Sequence, residues 1–175
     1  MRLKLFLLIL IFFFNCPLEA ISVPAKWARP QYIKTYIPPK HKHTKMMKDA
    51  FDSWSKASKN KVKFYYVHNP KIAQIRVNFV ETMPYDEWSV STQETMVRRG
   101  KRLRTHIYIA SQRYDGEKLG KKDIYALMLH EVGHSLGLPH TKNKLSIMYP
   151  TTTISQNIQQ TDIDRLNSLY GFKTR

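Results

Sequence analysis

The sequence predicts a single α+β domain built over one twisted sheet. The chain has 175 residues, enough for one sizeable hydrophobic core. Short runs with the period-two alternation of strands occur between residues 31 and 110. Two segments with the spacing of helices, residues 121–136 and a C-terminal run from residue 161, follow these strands. Strands followed by helices in this order are typical of an α+β domain.

The predicted strands are recognised by alternating apolar residues and by the turn residues between them. In the third of them, Ile75, Val77 and Phe79 alternate with polar residues and are expected to point inward. The last two strands are expected to form a hairpin that turns at Gly100. The five predicted strands are residues 31–37, 62–67, 72–80, 91–97 and 103–110.

A first helix is predicted over residues 44–58, between the first two strands. Met47, Phe51 and Trp54 lie four and three positions apart, so one face of the helix carries all three side chains. An apolar stripe of this kind is expected to pack in the core rather than to bind a ligand.

The last helix is expected to use Thr161 as its N-cap, because a threonine hydroxyl can accept a hydrogen bond from the first turn. Asp162 would follow at the start of the helix, where its negative charge suits the helix dipole.

The most informative segment is residues 130–140, which read HEVGHSLGLPH. His130 and His134 are four positions apart, so both imidazoles project from one face of a helix and can bind one metal ion. Gly137 suits a left-handed residue at the end of that helix, because it has no Cβ. The chain can then turn beneath the metal and bring His140 up as a third ligand.

Three imidazole nitrogens leave the fourth position of a tetrahedral Zn²⁺ open for water, which is the arrangement of a catalytic site. Glu131 is placed to hold that water rather than to bind the ion, and is the candidate general base. Solvated histidines on a helix face could explain HExxH alone, but Gly137 and His140 in register make chance a poor explanation. A structural zinc site is disfavoured, because only three strong ligands are present and no cysteine is near.

The motif resembles that of the metzincin metallopeptidases, which also carry a methionine-containing turn beneath the metal. Residues 146–150 read SIMYP and place Met148 eight residues after His140. The order Met-Tyr-Pro resembles the matrixin branch, the matrix metalloproteinases. Astacins and serralysins have a tyrosine where this chain has Pro150. The C-terminal run 160–171, QTDIDRLNSLYG, is also similar to the closing helix of a matrixin catalytic domain.

This resemblance is strong over residues 123–171 and colinear from about residue 29. It implies a mostly parallel sheet with an antiparallel edge strand, an active-site helix and a C-terminal helix. It also implies one catalytic zinc on the three histidines, Glu131 as the general base, Met148 as an apolar floor under the metal, and a side-chain pocket beside it. The implied pocket residues are Ala126, Tyr149 and Pro150.

Further metal ions are not expected. Matrixins usually carry a structural zinc and calcium ions, but here only His106 lies near a matching ligand position. Residues 81–88 replace the acidic, glycine-rich ligand loop of the family. The structural zinc is therefore expected to be absent, and calcium is a doubtful cofactor.

Residues 1–22 resemble a secretory signal peptide, and residues 23–175 are assigned to the catalytic domain. A basic start precedes an apolar run over residues 5–14, which is too short to span a bilayer. The protein is therefore expected to be secreted, to an extracellular or periplasmic location. Cys16, the single cysteine, lies in this segment, and its lipidation as a lipoprotein anchor is an alternative, although residues 13–15 match that motif poorly.

The chain is strongly basic. Its net charge is +16, or +15 without residues 1–22, from 27 basic minus 12 acidic residues. A basic field raises encounter rates with anionic surfaces or acidic proteins, but it could equally serve solubility alone. No nucleic-acid-binding module is evident. We expect a monomer whose partner is a protein or peptide substrate.

The sequence therefore predicts a secreted zinc-dependent endopeptidase. One alternative is a catalytically weak binding protein that keeps zinc for stability, but such a protein would be expected to lack Glu131. Another is a toxin-like protease with one narrow target, which the sequence does not distinguish.

Overall fold

The computed structural model describes residues 25–83, 91–113, 115–150 and 157–173, with backbone alone for residues 91–93. The predicted signal peptide, residues 1–22, lies outside these ranges. A short 3₁₀ helix, Pro70–Ile72, precedes the third strand. The strands and α-helices in chain order are β1 (Ile33–Tyr36), α1 (Thr44–Ala57), β2 (Phe64–Tyr66), β3 (Ile75–Val80), β4 (Ser91–Arg98), β5 (Lys101–Ala110), α2 (Lys121–Ser135) and α3 (Gln160–Tyr170).

The five strands form one sheet in the order β2-β1-β3-β5-β4. Strands β1, β2, β3 and β5 run parallel, and β4 is antiparallel to β5. The prediction of an α+β domain with a mostly parallel sheet and an antiparallel edge strand is confirmed. Within the described residues β4 pairs with β5 alone, so its other edge is open.

The β4–β5 hairpin turns through Arg99 and Gly100, with φ of 50° and 71°. A two-residue turn with two positive φ angles matches the right-handed twist of its strands, and glycine adopts such an angle at little cost. The turn lies where Gly100 predicted it, but the strands extend one residue further on β4 and two further on β5 than the alternation indicated. A register shift between Met96 and Val97 explains part of this difference, because a bulge interrupts the period of two.

The core lies between the sheet and the helices. Met47, Phe51 and Trp54 are fully buried, as their spacing predicted. The indole Nε1 of Trp54 donates a hydrogen bond to the carbonyl of Leu129 at 2.9 Å, which attaches α1 to α2. This contact fixes the helix that carries the two histidines against the core.

The prediction that Thr161 caps the last helix is wrong. The N-cap of α3 is Gln159, whose backbone N–H donates to the carboxylate of Asp162 at 2.9 Å. Thr161 is exposed in the first turn. The carboxylate three positions after the cap satisfies a free N–H of the helix terminus, so no hydroxyl cap is needed.

None of the helices in the described ranges combines the length and the apolar character needed to cross a bilayer.

Candidate metal centre

The helix α2 and the turn after it bring the three histidines together. The helix ends at Ser135, and Gly137 follows with φ of 103°, a left-handed conformation that favours glycine. A Cβ at Gly137 would also lie 2.6 Å from the carbonyl oxygen of Ala25. The predicted role of this glycine is confirmed: it reverses the chain so that His140 meets the helical pair.

The three Nε2 atoms converge on one point. The Nε2 of His140 lies 3.2 Å from that of His130 and 3.0 Å from that of His134. A tetrahedral Zn²⁺ with bonds of about 2.0–2.1 Å places its nitrogen ligands about 3.3–3.4 Å apart. The observed separations are within a few tenths of an ångström of that spacing, so this group is able to hold one zinc ion.

Hydrogen bonds fix the tautomers of two of these rings. The Nδ1 of His130 donates to the carbonyl of Ile147 at 2.7 Å, and the Nδ1 of His134 donates to the carbonyl of Leu138 at 2.7 Å. A carbonyl oxygen can only accept, so both rings carry their proton on Nδ1 when neutral. Both Nε2 lone pairs therefore face His140, whose Nε2 could donate to only one of them. A cation satisfies all three at once.

The histidines are also held in the neutral form that binds metals. Burial lowers the pKa of His130, and burial and the neighbouring His130 lower the pKa of His134 to about 3. Desolvation lowers the pKa of the more exposed His140 as well. The imidazoles are therefore unprotonated at neutral pH, as coordination requires.

Glu131 lies directly after the first histidine and is buried, with 4% of its surface exposed. Its assignment as general base stays a prediction. A carboxylate at this depth is unusual unless it has a polar role, because burying a charge is costly.

The turn that contains Met148 contacts the first of the histidines. Met148 is fully buried, and Ile147, just before it, accepts the hydrogen bond from His130. The turn is held by Asp162, whose carboxylate accepts hydrogen bonds from the Ser146 hydroxyl and from the Ile147 N–H, the second at 3.2 Å. Asp162 is thus linked to His130 through the backbone of one residue, Ile147, whose N–H and C=O each make one of the two hydrogen bonds. Sequence reasoning assigned Asp162 only to the helix start and missed this role.

The three predicted pocket residues have different environments. Ala126 is fully buried in the hydrophobic core, one turn of α2 before His130. Tyr149 is half-buried and Pro150 is exposed, directly after Met148. Their assignment to a substrate pocket stays a prediction. His106, the other predicted candidate ligand, lies half-buried on β5, and the described residues contain no further cluster of three candidate ligands that includes it.

We expect one zinc ion per chain. The three histidines form the one such cluster found among the described residues. Metal analysis after dialysis should give one zinc, and His140→Ala should remove it. His106→Ala is the matched control and should keep the full amount. Two tightly held zinc ions in the wild type would contradict this expectation.

Gly133 is required by the packing of the methionine turn. A Cβ at this position would lie 2.9 Å from Cζ2 of Trp54 and would overlap the sulfur of Met148. Gly133→Ala should gain about 0.5–1 kcal/mol of helix propensity but lose about 1–3 kcal/mol to overpacking. We therefore expect a net loss in the free energy of unfolding.

This loss can be measured by urea unfolding in the presence of chelator, so that zinc binding does not contribute. The same substitution in a Met148→Ala background should cost less, because one of the two clashing side chains is then removed. Equal costs in both backgrounds would show that Met148 does not set the requirement for glycine.

The fold and the three-histidine site together define a metzincin-type domain. The sequence profile of the matrixins matches residues 27–171. The chain therefore belongs to the matrixin family, a family of zinc-dependent metalloproteinases.

Individual relatives agree with this assignment. The chain is 31% identical over 118 residues to a protein of Trichoplusia ni ascovirus 2c named "Putative matrix metalloproteinase", covering 57% of this chain and 23% of that protein. It is 29% identical over 139 residues to "Probable matrix metalloproteinase 095L" of Invertebrate iridescent virus 3, covering 74% and 38%. It is 43% identical over 51 residues to the interstitial collagenase of Bos taurus, covering 28% and 11%. The chain thus spans less than two fifths of each of these relatives.

Proposed function

We propose that the protein is a zinc-dependent endopeptidase that hydrolyses peptide bonds in proteins. The observation that carries this proposal is the convergence of three imidazole Nε2 atoms, together with a buried glutamate, Glu131, directly after the first of these histidines in the chain. Three neutral ligands leave a coordination position open, which a structural zinc site would close with a fourth protein ligand.

In the proposed reaction the chain supplies both the metal ligands and the base. When bound, zinc polarises the substrate carbonyl and lowers the pKa of water to about 7. Glu131 accepts the proton of the attacking water and then delivers it to the leaving amine. His130 and His134 are held by carbonyl oxygens through Nδ1, which fixes the directions of their Nε2 lone pairs. Met148 supplies the apolar floor.

We propose that the substrate binds along the open edge of β4. An edge strand offers N–H and C=O groups to an extended peptide, so main-chain hydrogen bonds give affinity that tolerates many sequences. Selectivity would then come from one pocket beside the metal, for which Ala126, Tyr149 and Pro150 are the proposed lining. An apolar residue just after the cleaved bond should be preferred.

Cleavage profiling of a peptide library tests this proposal. The protein without its signal peptide should cleave peptide bonds that are followed by an apolar residue. This activity should be lost in chelator and should return when zinc is added back. Zinc binding without any cleavage would favour the alternative of a zinc-stabilised binding protein, and cleavage of a single sequence would favour the narrow-target protease. Profiles at low and high salt separate the pocket from the basic field. A preference for acidic residues that salt removes, without an apolar preference, would contradict the pocket.

We also propose that the protein is secreted after removal of residues 1–22. The proposal rests on the basic start and the apolar run over residues 5–14. Sequencing the N-terminus of protein recovered from the medium should give a start near residue 21 or 23. A lipid-modified N-terminus at Cys16 would instead support anchoring.

A further inference from the structure

Two segments without any acidic residue meet at one end of the sheet. Residues 25–48 and residues 95–113 contain no aspartate or glutamate. The N–H of Lys26 donates to the carbonyl of Gly100 at 3.3 Å, and the N–H of Arg102 donates to the carbonyl of Lys26 at 2.9 Å. The start of the domain therefore lies beside the tip of the β4–β5 hairpin, and their positive charges are placed together.

The surface formed by this tip, residues 96–104, and the adjoining residues 26–29 is called here the hairpin surface. The ion pairs found within the described part of the chain lie elsewhere, at Lys45 with Asp49 and at Arg113 with Glu117. The basic side chains of the hairpin surface thus have no acidic partner among the residues that the structure describes. The exposed ones are Lys26, Arg29, Arg98, Arg99, Lys101 and Arg104.

Large apolar side chains are exposed among these charges. Met96 is 61% exposed, and Val97 and Leu103 are each 46% exposed. In the ladder Met96 lies opposite Arg104, so an apolar side chain and a basic one are neighbours at the tip. Exposed apolar side chains rimmed by charge are a feature of surfaces that bind proteins or membranes.

One arginine of the hairpin has an internal role. The Nε of Arg102 donates to the carbonyl of Ala25 at 2.8 Å, and its Nη1 donates to the hydroxyl of Thr95 at 3.0 Å. Arg102 therefore joins the start of the domain to the β4–β5 hairpin, and it holds the exposed residues of the hairpin surface in a fixed arrangement. Trp27, next to Lys26, is buried and donates from Nε1 to the carbonyl of Ser135 at 2.8 Å, which attaches the start of the domain to the end of α2.

We propose that the hairpin surface docks the protein on an anionic lipid bilayer. Lys and Arg side chains would lie at the negatively charged headgroups, and Met96, Val97 and Leu103 would enter the boundary with the acyl chains. The apolar side chains decide between a bilayer and a sulfated polysaccharide, because a polysaccharide offers charge and hydroxyls but no apolar layer. Docking would keep β4 and the end of α2 near the membrane surface.

The first test removes charge from the tip. Vesicles of phosphatidylcholine, with or without phosphatidylserine, are sedimented with the processed form of the protein. Each basic residue near an anionic surface contributes about 1 kcal/mol, or roughly fivefold in binding. Replacing Arg98, Lys101 and Arg104 by glutamine should weaken binding to the anionic vesicles at least tenfold.

The matched control removes three lysines at the opposite end of the strands, near the end of β3. Lys42, Lys118 and Lys121 line a separate cavity near the end of β3 and are exposed. Their replacement by glutamine changes the net charge by the same amount. It should alter binding less than about threefold, because salt screens charges that lie far from the docked surface. Equal losses in both triple variants would show that overall charge alone causes binding, and would overturn the proposal.

The second test removes the apolar contribution. Met96→Gln with Leu103→Gln leaves every charge in place and changes exposed side chains alone. The wild type should keep part of its vesicle binding at high salt, and this variant should lose that part. Two outcomes would show that the bilayer is not the partner. In the first, the double variant binds vesicles like the wild type at every salt concentration. In the second, neither the wild type nor any variant binds either vesicle, while the wild type binds heparin through the same arginines. Both readings are independent of peptidase activity.

Discussion

Glu131→Gln should lower peptidase activity by at least a hundredfold while the protein keeps its zinc. Glutamine has nearly the shape of glutamate and can still hydrogen-bond, but it cannot accept a proton at neutral pH. General acid–base catalysis contributes about 10²–10⁴-fold, and the loss should fall within or above this range. Hydrolysis of a fluorogenic peptide gives the rate, and metal analysis gives the zinc content.

The matched control is Glu117→Gln, which makes the same change at an exposed residue before α2. It should keep wild-type activity, since its ion pair with Arg113 is at the surface and such pairs contribute little. A Glu131→Gln variant with near-wild-type activity and one zinc per chain would show that another group is the base. Loss of both zinc and activity would instead place Glu131 in the support of the metal site.

The general fold could be predicted because its signals are local. The stripe of Met47, Phe51 and Trp54 and the alternation of Ile75 and Val77 each occupy a few consecutive turns or strand positions, and all five side chains are buried. The ends of the helices and strands were predicted less accurately than their positions. The strands of the hairpin are longer than predicted, because the bulge after Met96 disturbs the alternation that marks a strand.

The metal centre could be predicted for the same reason. His130, His134 and His140 span eleven residues, and one helix and one glycine turn are enough to bring their nitrogens together. The helix period fixes the first two, and Gly137 fixes the direction of the chain to the third.

The supporting contacts could not be predicted, because they join distant parts of the chain. The hydrogen bond from Trp27 to Ser135 spans 108 positions, and the one from Trp54 to Leu129 spans 75. No periodic pattern encodes such pairs. At Thr161 a local signal was present but misleading. Its hydroxyl is a good local signal for an N-cap, but the tertiary contacts of Asp162 place the helix start two residues earlier.

Asp162→Ala should be the most destabilising single substitution near the site. Asp162 is fully buried and accepts hydrogen bonds from the Ser146 hydroxyl and from the N–H groups of Ile147 and Gln159. Alanine would leave these donors without an acceptor, at about 1–3 kcal/mol for each one that water cannot reach. A loss of about 3–5 kcal/mol in the free energy of unfolding is expected, measured by urea unfolding in chelator.

The same substitution should weaken zinc binding, because Asp162 holds the backbone N–H of Ile147, the residue whose carbonyl orients His130. Loss of an outer contact of this kind typically costs about 10–100-fold in metal affinity, measurable by competition with a chromogenic chelator. Asp164→Ala is the matched control, since Asp164 is exposed on the same helix and accepts a hydrogen bond from Gln160. It should change neither quantity appreciably. If Asp162→Ala lowers the free energy of unfolding by less than expected but weakens zinc binding, the main role of Asp162 is to position His130. If the variant is destabilised but its zinc affinity is unchanged, the methionine turn keeps its conformation without Asp162. The Asp162 carboxylate then stabilises α3 alone.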